Sequence, residues 1–528
     1  GASATRRGAA TTSTAAPATQ SYETLVEKLR QIEHLSGIEG LLGWDEQTMM
    51  PAGAAASRGA QKVALATLLF AEKTSSELEE LLDQLSGEGA LEADAQRAVV
   101  REARREFDLA TKVSKELVAR EAEVESRGYQ TWDAARKAND WASFAPVLEE
   151  IIEVKNEIAA AQRPDLAAEG RLYDAHVDKF ERGMSAERLD EVFSELKAGL
   201  VPLLRSVQAA AGDAPATPAC LEPGDAWDVE QQAALCREVA ADLGFDFEKG
   251  RMDVSSHPFT GGPHPTDVRI TTRYSTGNWL EGIAGTVHET GHAMYEQGRL
   301  GGDSEFADLP VSRALSMGVH ESQSLLWERM VFQSRAFWKY MAPKVAKYFP
   351  HTEGTSPEDF YAYVNRVQAG LIRVDADELT YPLHIILRFD LERKLATDPA
   401  GTVADLPETW VRRMKEDLGV DVPDNAKGCL QDVHWSCGAF GYFPSYSLGA
   451  IMAAQLYSAA KKDLPGLEEG IAAGEFAPLR EWLHEKIHRR GSFPQSLDEI
   501  LTEATGEPLS VGPYLAYLQD KYSDLYDL

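Results

Sequence analysis

Apolar residues recur at three- and four-residue steps along most of this chain, the spacing that places side chains on one face of a helix. The first such stripe is Leu25, Leu29 and Ile32. It follows Ser21, a capping residue, with Glu23 and Glu27 near the positive end of the helix. Gly43-Trp44-Asp45 and Pro51-Ala52-Gly53 predict turns. From about Leu91 to Ser126, the positions Val99, Ala103, Phe107, Ala110 and Leu117 predict one long helix, with Gly128 ending it. Helices are also predicted over Pro146–Ala161, Ser185–Ala211 and Asp228–Leu243, with an Ala- and Pro-rich rim loop over Ala211–Pro223. No repeat of fixed period is present, which argues against a solenoid.

The period changes once. Met252–Phe259 and Asp267–Tyr274 read as strands, separated by the turn signal Thr260-Gly261-Gly262-Pro263-His264-Pro265. Val268, Ile270, Thr272 and Tyr274 share one face of the second strand, and Arg269, Thr271 and Arg273 the other. This strand pair immediately precedes a helix predicted over Trp279–Gly298. A strand in that place can hold an extended peptide by main-chain hydrogen bonds, so the pair is expected to line a cleft.

The helix carries His288-Glu289-Thr290-Gly291-His292, an HExxH pattern. Residues i and i+4 stack on one helix face, so His288 and His292 can bind one ion, and Glu289 can reach a water on it as general base. The ligands of a catalytic ion leave one position open, and a third ligand must come from elsewhere. Glu296 lies on the same stripe, but at roughly 1.5 Å per residue it sits about 12 Å from His288, too far to share the ion. A loop from Gly301 to Pro310 and a new helix over Ser312–Met330 predict a helical hairpin. The middle of that helix brings back Glu321, the expected third ligand, with His320 pointing elsewhere to support or to pack. A second HExxH, His484 to His488, is crowded by Lys486, Arg489 and Arg490 and is not expected to bind metal.

Composition narrows the partners. The chain has 528 residues, 44% hydrophobic, and a formal net charge of -31. Such an excess of acid opposes binding to nucleic acid or to an anionic membrane. No apolar run is long enough to span a bilayer, so a soluble intracellular protein is expected. Four cysteines without a CxxC pair fit a reducing compartment. Residues 1–20 hold no acid and almost no large apolar residue, which predicts a disordered tail. Its Arg6, Arg7 and hydroxyl residues also suit the remnant of a plastid or mitochondrial transit peptide; otherwise the expected location is cytoplasmic. The remainder, 21–528, is expected to form a single catalytic domain.

GTVHETGHAMYEQG followed by GVHESQSLLWE resembles the carboxypeptidase Taq family of metallocarboxypeptidases. The HPF motif of that family stands at His257-Pro258-Phe259, and DxRxT at Asp267–Thr271. IRxxAD stands at Ile372–Asp377, and GxxQDxHW at Gly428–Trp435. GWDEQTMMPAGAAASR also looks like the N-terminal region of the family. The resemblance implies a mostly α, two-lobed zinc-peptidase fold with a deep groove, a small antiparallel sheet beside the active site, and a homodimer. It implies release of single C-terminal amino acids with broad specificity, and one Zn²⁺ per chain, replaceable by Co²⁺. It suggests Arg373, on a helical stretch from about Pro357 to Ala396, as anchor for the substrate carboxylate, with Arg269 as the alternative. Within QDVHWSCGAFGYFPSYSLG it suggests His434 and Tyr446 for the oxyanion and Tyr442 for the substrate carboxylate, with His257 also facing substrate.

Overall fold

The structure is a computed structural model that describes residues 15–87, 89–210, 218–299 and 304–528. Most of the tail expected over 1–20, the start of the rim loop and the tip of the loop after Gly298 therefore lie outside the described residues. Four helices open the chain: α1 (Ala15–Thr48), α2 (Ala55–Lys73), α3 (Ser76–Leu85) and α4 (Asp94–Thr111). They share a buried apolar core built from Leu25, Leu29 and Ile32 of α1, Leu69 of α2, Leu82 of α3, and Val99 and Phe107 of α4, which Leu309 and Val311 join from later in the chain. Helix α1 starts upstream of Ser21 and runs through Gly43-Trp44-Asp45, so no turn forms there. Trp44 is buried under the guanidinium groups of Arg251 and Arg269, 5.0 and 4.5 Å from its ring, and this contact holds the segment helical.

A second, larger core takes up the rest of the chain. Around it stand α5 (Lys115–Ala138), α6 (Trp141–Gln162), α8 (Leu172–Asp178), α9 (Ala186–Ala210) and α10 (Val229–Leu243), while α7 (Pro164–Ala168) packs Leu166 against Ala159 of α6 and Ala175 of α8. After the sheet come α11 (Trp279–Gly298), α12 (Met317–Leu325), α13 (Arg335–Tyr348), α14 (Pro357–Val364), α15 (Tyr381–Thr397) and α16 (Pro399–Leu418). The chain closes with α17 (Pro444–Asp463), α18 (Leu467–Ala473), α19 (Ala477–Lys486), α20 (Leu497–Thr505) and α21 (Gly512–Tyr526). The two largest buried clusters give the molecule its two lobes. Among the described residues, no helix is long and apolar enough to cross a membrane.

The single helix predicted from Leu91 to Ser126 is two. Ser114 accepts a hydrogen bond from the N–H of Leu117 at 3.2 Å and starts α5, a cap the apolar stripe concealed. Gly128 lies inside α5 instead of ending it. A Cβ there would sit 2.6 Å from Ile151 Cδ1 and 2.7 Å from the Ser436 carbonyl oxygen, so this glycine admits the turn His434–Cys437 against the helix.

The sheet has three strands, β1 (Gly250–Val254), β2 (Thr260–His264) and β3 (Asp267–Thr272), in the order β1-β3-β2. The stretch read as a turn is thus the edge strand β2. It pairs antiparallel with β3, while β1 pairs parallel with β3 from Gly250↔Val268 to Val254↔Thr272. The sheet is therefore mixed, where an antiparallel pair was expected. Two glycines and a proline hid β2, because their low strand propensity outweighs the pairing in any local reading. Val268 and Ile270 pack with Ala240 and Ala293, fixing the sheet to α10 and α11.

Candidate metal centre

Asn278 begins α11 by accepting the N–H of Glu281 at 3.3 Å. Small residues along α11 let neighbours close in. At Gly282 a Cβ would lie 3.1 Å from the Arg273 carbonyl oxygen, and at Gly291 it would lie 2.7 Å from the Gln323 carbonyl oxygen. Gly291 is thus where α12 presses against α11. Helix α12 starts at Ser316, whose Oγ accepts from Val319 N at 3.2 Å, well past the Ser312 start expected. The buried carboxylate of Glu181 takes the N–H of Gly318 and, at 2.7 Å, the hydroxyl of Ser445, so it ties α12 to the start of α17.

These contacts bring His288, His292 and Glu321 together. One donor atom from each lies within 4.8 Å of the others, and no second such group occurs among the described residues. Glu321 Oε2 is 3.4 Å from His292 Nε2. His288 Nδ1 is 2.6 Å from Glu328 Oε2, and His292 Nδ1 is 2.6 Å from His320 Nδ1. Both imidazoles therefore have Nδ1 engaged and Nε2 left for a ligand, the arrangement that orients metal-binding histidines. Burial alone would lower the His288 pKa, but Glu328, Glu321 and Glu289 raise it to about 10. Burial likewise opposes ionisation of Glu321, yet the two imidazoles hold its pKa at about 2. The acids around His288 thus favour positive charge there, while burial and the neighbouring His320 lower the His292 pKa and keep that ring free to bind. Two imidazoles and one carboxylate form a three-ligand set that fits a catalytic divalent ion such as zinc.

Glu289 lies near enough to His288 to help raise its pKa. It is only 6% exposed, and its Oε2 accepts the Thr260 hydroxyl at 2.6 Å. Thr260 opens β2, so the edge strand orients the carboxylate that the HExxH pattern singles out. A cavity of about 350 Å³ runs on along this edge, between Gly261, His264, Glu33, Ser36, Glu296 and His320.

His434 lies in the turn His434–Cys437, and its Nε2 is 3.3 Å from the Tyr446 hydroxyl. Burial and the charge of Arg373 lower the His434 pKa to about 4, so its ring is neutral. The Tyr442 ring stands 5.3 Å from that of Tyr446 and edge-on to Phe180. Glu392 fixes this stretch: it accepts from Trp435 Nε1 and Gly441 N, each at 2.9 Å, and from the Tyr173 hydroxyl at 2.8 Å.

Arg373 sits in the short turn Arg373–Asp375 between α14 and α15, not on the continuous helix expected from Pro357 to Ala396. Its Nε donates to Asp432 at 2.9 Å and its Nη1 to the Tyr381 hydroxyl at 2.7 Å. Its guanidinium lies 5.2 Å from the Tyr446 ring. Arg269 is engaged by both oxygens of Asp267 and by Trp44, where it braces β3 against α1. His257 is exposed, and its carbonyl accepts the Ser255 hydroxyl at 2.6 Å.

The second HExxH loses its register. Helix α19 ends at Lys486, and His488 belongs to a separate turn, His488–Arg490. His488 Nε2 is spent on Gln323 Oε1 at 3.0 Å, and both histidines pack over Gly298 at the end of α11. Sequence reasoning passed over Thr260, Tyr381, Asp432 and Glu328 as contributors. Glu328 carried a usable signal, since it follows Glu321 by two helical turns and shares its face.

The model of the family described as carboxypeptidase Taq (M32) metallopeptidase matches residues 24–522. The chain is 39% identical to thermostable carboxypeptidase 1 of Thermus thermophilus over 96% of its own length and 99% of the relative. It is 36% identical to carboxypeptidase 1 of Bacillus subtilis, over 94% and 97%. Its fold matches the crystal structure of an M32 carboxypeptidase from Deinococcus radiodurans with a TM-score of 0.91 and 38% identity, covering 96% of this chain and 100% of that one. Metallocarboxypeptidase 1 of Trypanosoma cruzi gives a TM-score of 0.90 and 37% identity, over 95% and 99%.

Proposed function

The chain belongs to the carboxypeptidase Taq (M32) metallopeptidase family, and from that premise we propose that it releases single C-terminal amino acids from peptides with broad specificity, with zinc held by His288, His292 and Glu321. It is a metallocarboxypeptidase, a hydrolase of peptide bonds. The observation that supports the ligand set is the convergence of those three donors, with both Nδ1 atoms turned away. Cobalt, with similar ligand preferences, is expected to substitute for zinc.

When bound, the ion lowers the pKa of water and polarises the scissile carbonyl. Glu289 takes the proton of the attacking water and returns it to the leaving amine. The Tyr446 hydroxyl and His434 donate to the oxygen on which negative charge develops. Arg373 and Tyr442 hold the free carboxylate of the substrate, which sets the cut one residue from the end. For Arg373 this means exchanging the Tyr381 contact for the substrate, with Asp432 keeping its other edge in place. Residues 21–528 act as one catalytic unit, because the smaller lobe contributes Glu33 to the wall of the cavity along β2.

Amidating the C-terminus of a peptide removes the charge that Arg373 would pair. The expected result is a fall in kcat/KM of about a hundredfold. Mass spectrometry of a peptide library and its amidated twin, with and without chelator, reads this directly. Equal cleavage of both, or products shortened by two residues at once, would refute the exopeptidase reading.

The proposed homodimer has a candidate face on α2. Ala56, Gly59, Ala60, Val63 and Phe70 form an exposed stripe, with Val63 67% and Phe70 45% exposed. Small residues at this spacing let a helix pack on a copy of itself, and a second copy would cover the two large apolar groups. Val63→Glu is expected to sediment as a monomer where the parent protein is a dimer; an unchanged sedimentation coefficient would dismiss this face.

A further inference from the structure

The two histidines of the candidate centre are oriented by different devices. His288 has a carboxylate, Glu328, directly on Nδ1. His292 has another imidazole there: His320 Nδ1, at 2.6 Å. On its far side, His320 Nε2 is 2.8 Å from Glu296 Oε1. Arg299 then donates Nη1 to Glu296 Oε2 at 2.6 Å and Nε to the Ser312 carbonyl at 3.1 Å. The row runs from α11 to α12, back to α11, and ends on the segment before α12.

The hydrogen-bond polarity of this row is determined by its far end. A carboxylate only accepts, so His320 Nε2 must carry hydrogen. A neutral His320 then has a bare Nδ1. Two ring nitrogens 2.6 Å apart admit one proton between them, because two would clash and none would leave two lone pairs facing. With His320 neutral, the proton sits on His292 Nδ1, and the lone pair of His292 is on Nε2, the atom that faces Glu321 at 3.4 Å and the one a metal needs. Glu296 cannot do this alone. It stands one helical turn beyond His292 on the same face of α11, and an imidazole reaching across from α12 closes the gap.

We propose that His320, backed by Glu296 and Arg299, is a positioning residue that holds His292 in the tautomer able to bind the metal. The proposal rests on the reading of His288, His292 and Glu321 as ligands. It gives Glu296 a role although it cannot reach the ion, and it explains why a histidine directly precedes Glu321.

The test is zinc affinity, measured by chelator competition on the full chain, with the visible spectrum of the cobalt-loaded protein as a second readout. His320→Leu removes the acceptor and is expected to raise the Kd for Zn²⁺ about 10- to 100-fold. His320→Asn presents an amide oxygen where Nδ1 was, and is expected to stay within about threefold of the parent. The thermal midpoint of each metal-free protein checks that it is folded. A folded His320→Leu protein with parental zinc affinity overturns the proposal, and so does equal weakening in both variants. Should His320→Leu not fold, Glu296→Gln decides: about tenfold weaker binding supports the row, unchanged binding overturns it. His288→Ala is the separate control, for if it also keeps zinc, the ligand reading itself has failed.

Discussion

Glu289→Gln is expected to keep its full complement of metal and to lose about a thousandfold in kcat. The side chain is buried, and Thr260 donates to its Oε2 at 2.6 Å. A glutamine of the same shape can still accept that hydroxyl through its amide oxygen, so packing and the flanking histidines stay in place. What disappears is the capacity to take a proton. A loss made only in the transition state lowers kcat and kcat/KM together and leaves KM nearly unchanged. Thr260→Ala separates base from support: it frees the carboxylate without removing its basicity, and about a tenfold loss is expected. Metal analysis beside steady-state kinetics checks both. Turnover by Glu289→Gln within tenfold of the parent enzyme would remove the glutamate from the chemistry.

How much of this was legible in the sequence depended on how local each signal was. Helix α11 has the bounds Trp279–Gly298 that its motif and flanking glycine predict, because cap, small-residue face and metal pattern all lie within one stretch. The convergence of Glu321 on His292 followed from a hairpin argument and needed no long-range knowledge. Strand β2 did not follow, since Gly261, Gly262 and Pro263 form a strand only because β3 is there to pair with. The partner of Arg373 was equally hidden. Asp375, Asp377 and Glu378 lie nearest to it along the chain, but the acid that meets it is Asp432, 59 residues on. Glu378 instead goes to Lys521, at 2.7 Å. Ion pairs across elements are set by the packing of helices, which no periodicity records. The duplicate HExxH teaches the converse: His484 and His488 have the right spacing, but the helix stops at Lys486 and their rings are taken up by α11 and α12.

That contrast supplies the second large effect. Glu321→Ala is expected to lose bound metal, with affinity down at least about a hundredfold and peptide hydrolysis with it. Among the described residues Glu321 is the carboxylate that groups with both imidazoles, at 3.4 Å from His292 Nε2, while Glu328 is committed to Nδ1 of His288. Its position leaves little room to compensate. The face of α17 at Gly449 presses so closely on it that a Cβ there would lie 2.7 Å from Glu321 Cγ. A water in the vacated place brings no charge to offset the dication. His484→Ala is the matched control, because it removes one histidine of an HExxH that the fold uses to pack the end of α11. It is expected to retain as much metal as the parent protein, at some cost in thermal stability. Metal content after dialysis distinguishes the two variants: equal retention by Glu321→Ala would take the carboxylate out of the ligand set, and equal loss by His484→Ala would mean that the second pattern holds an ion after all.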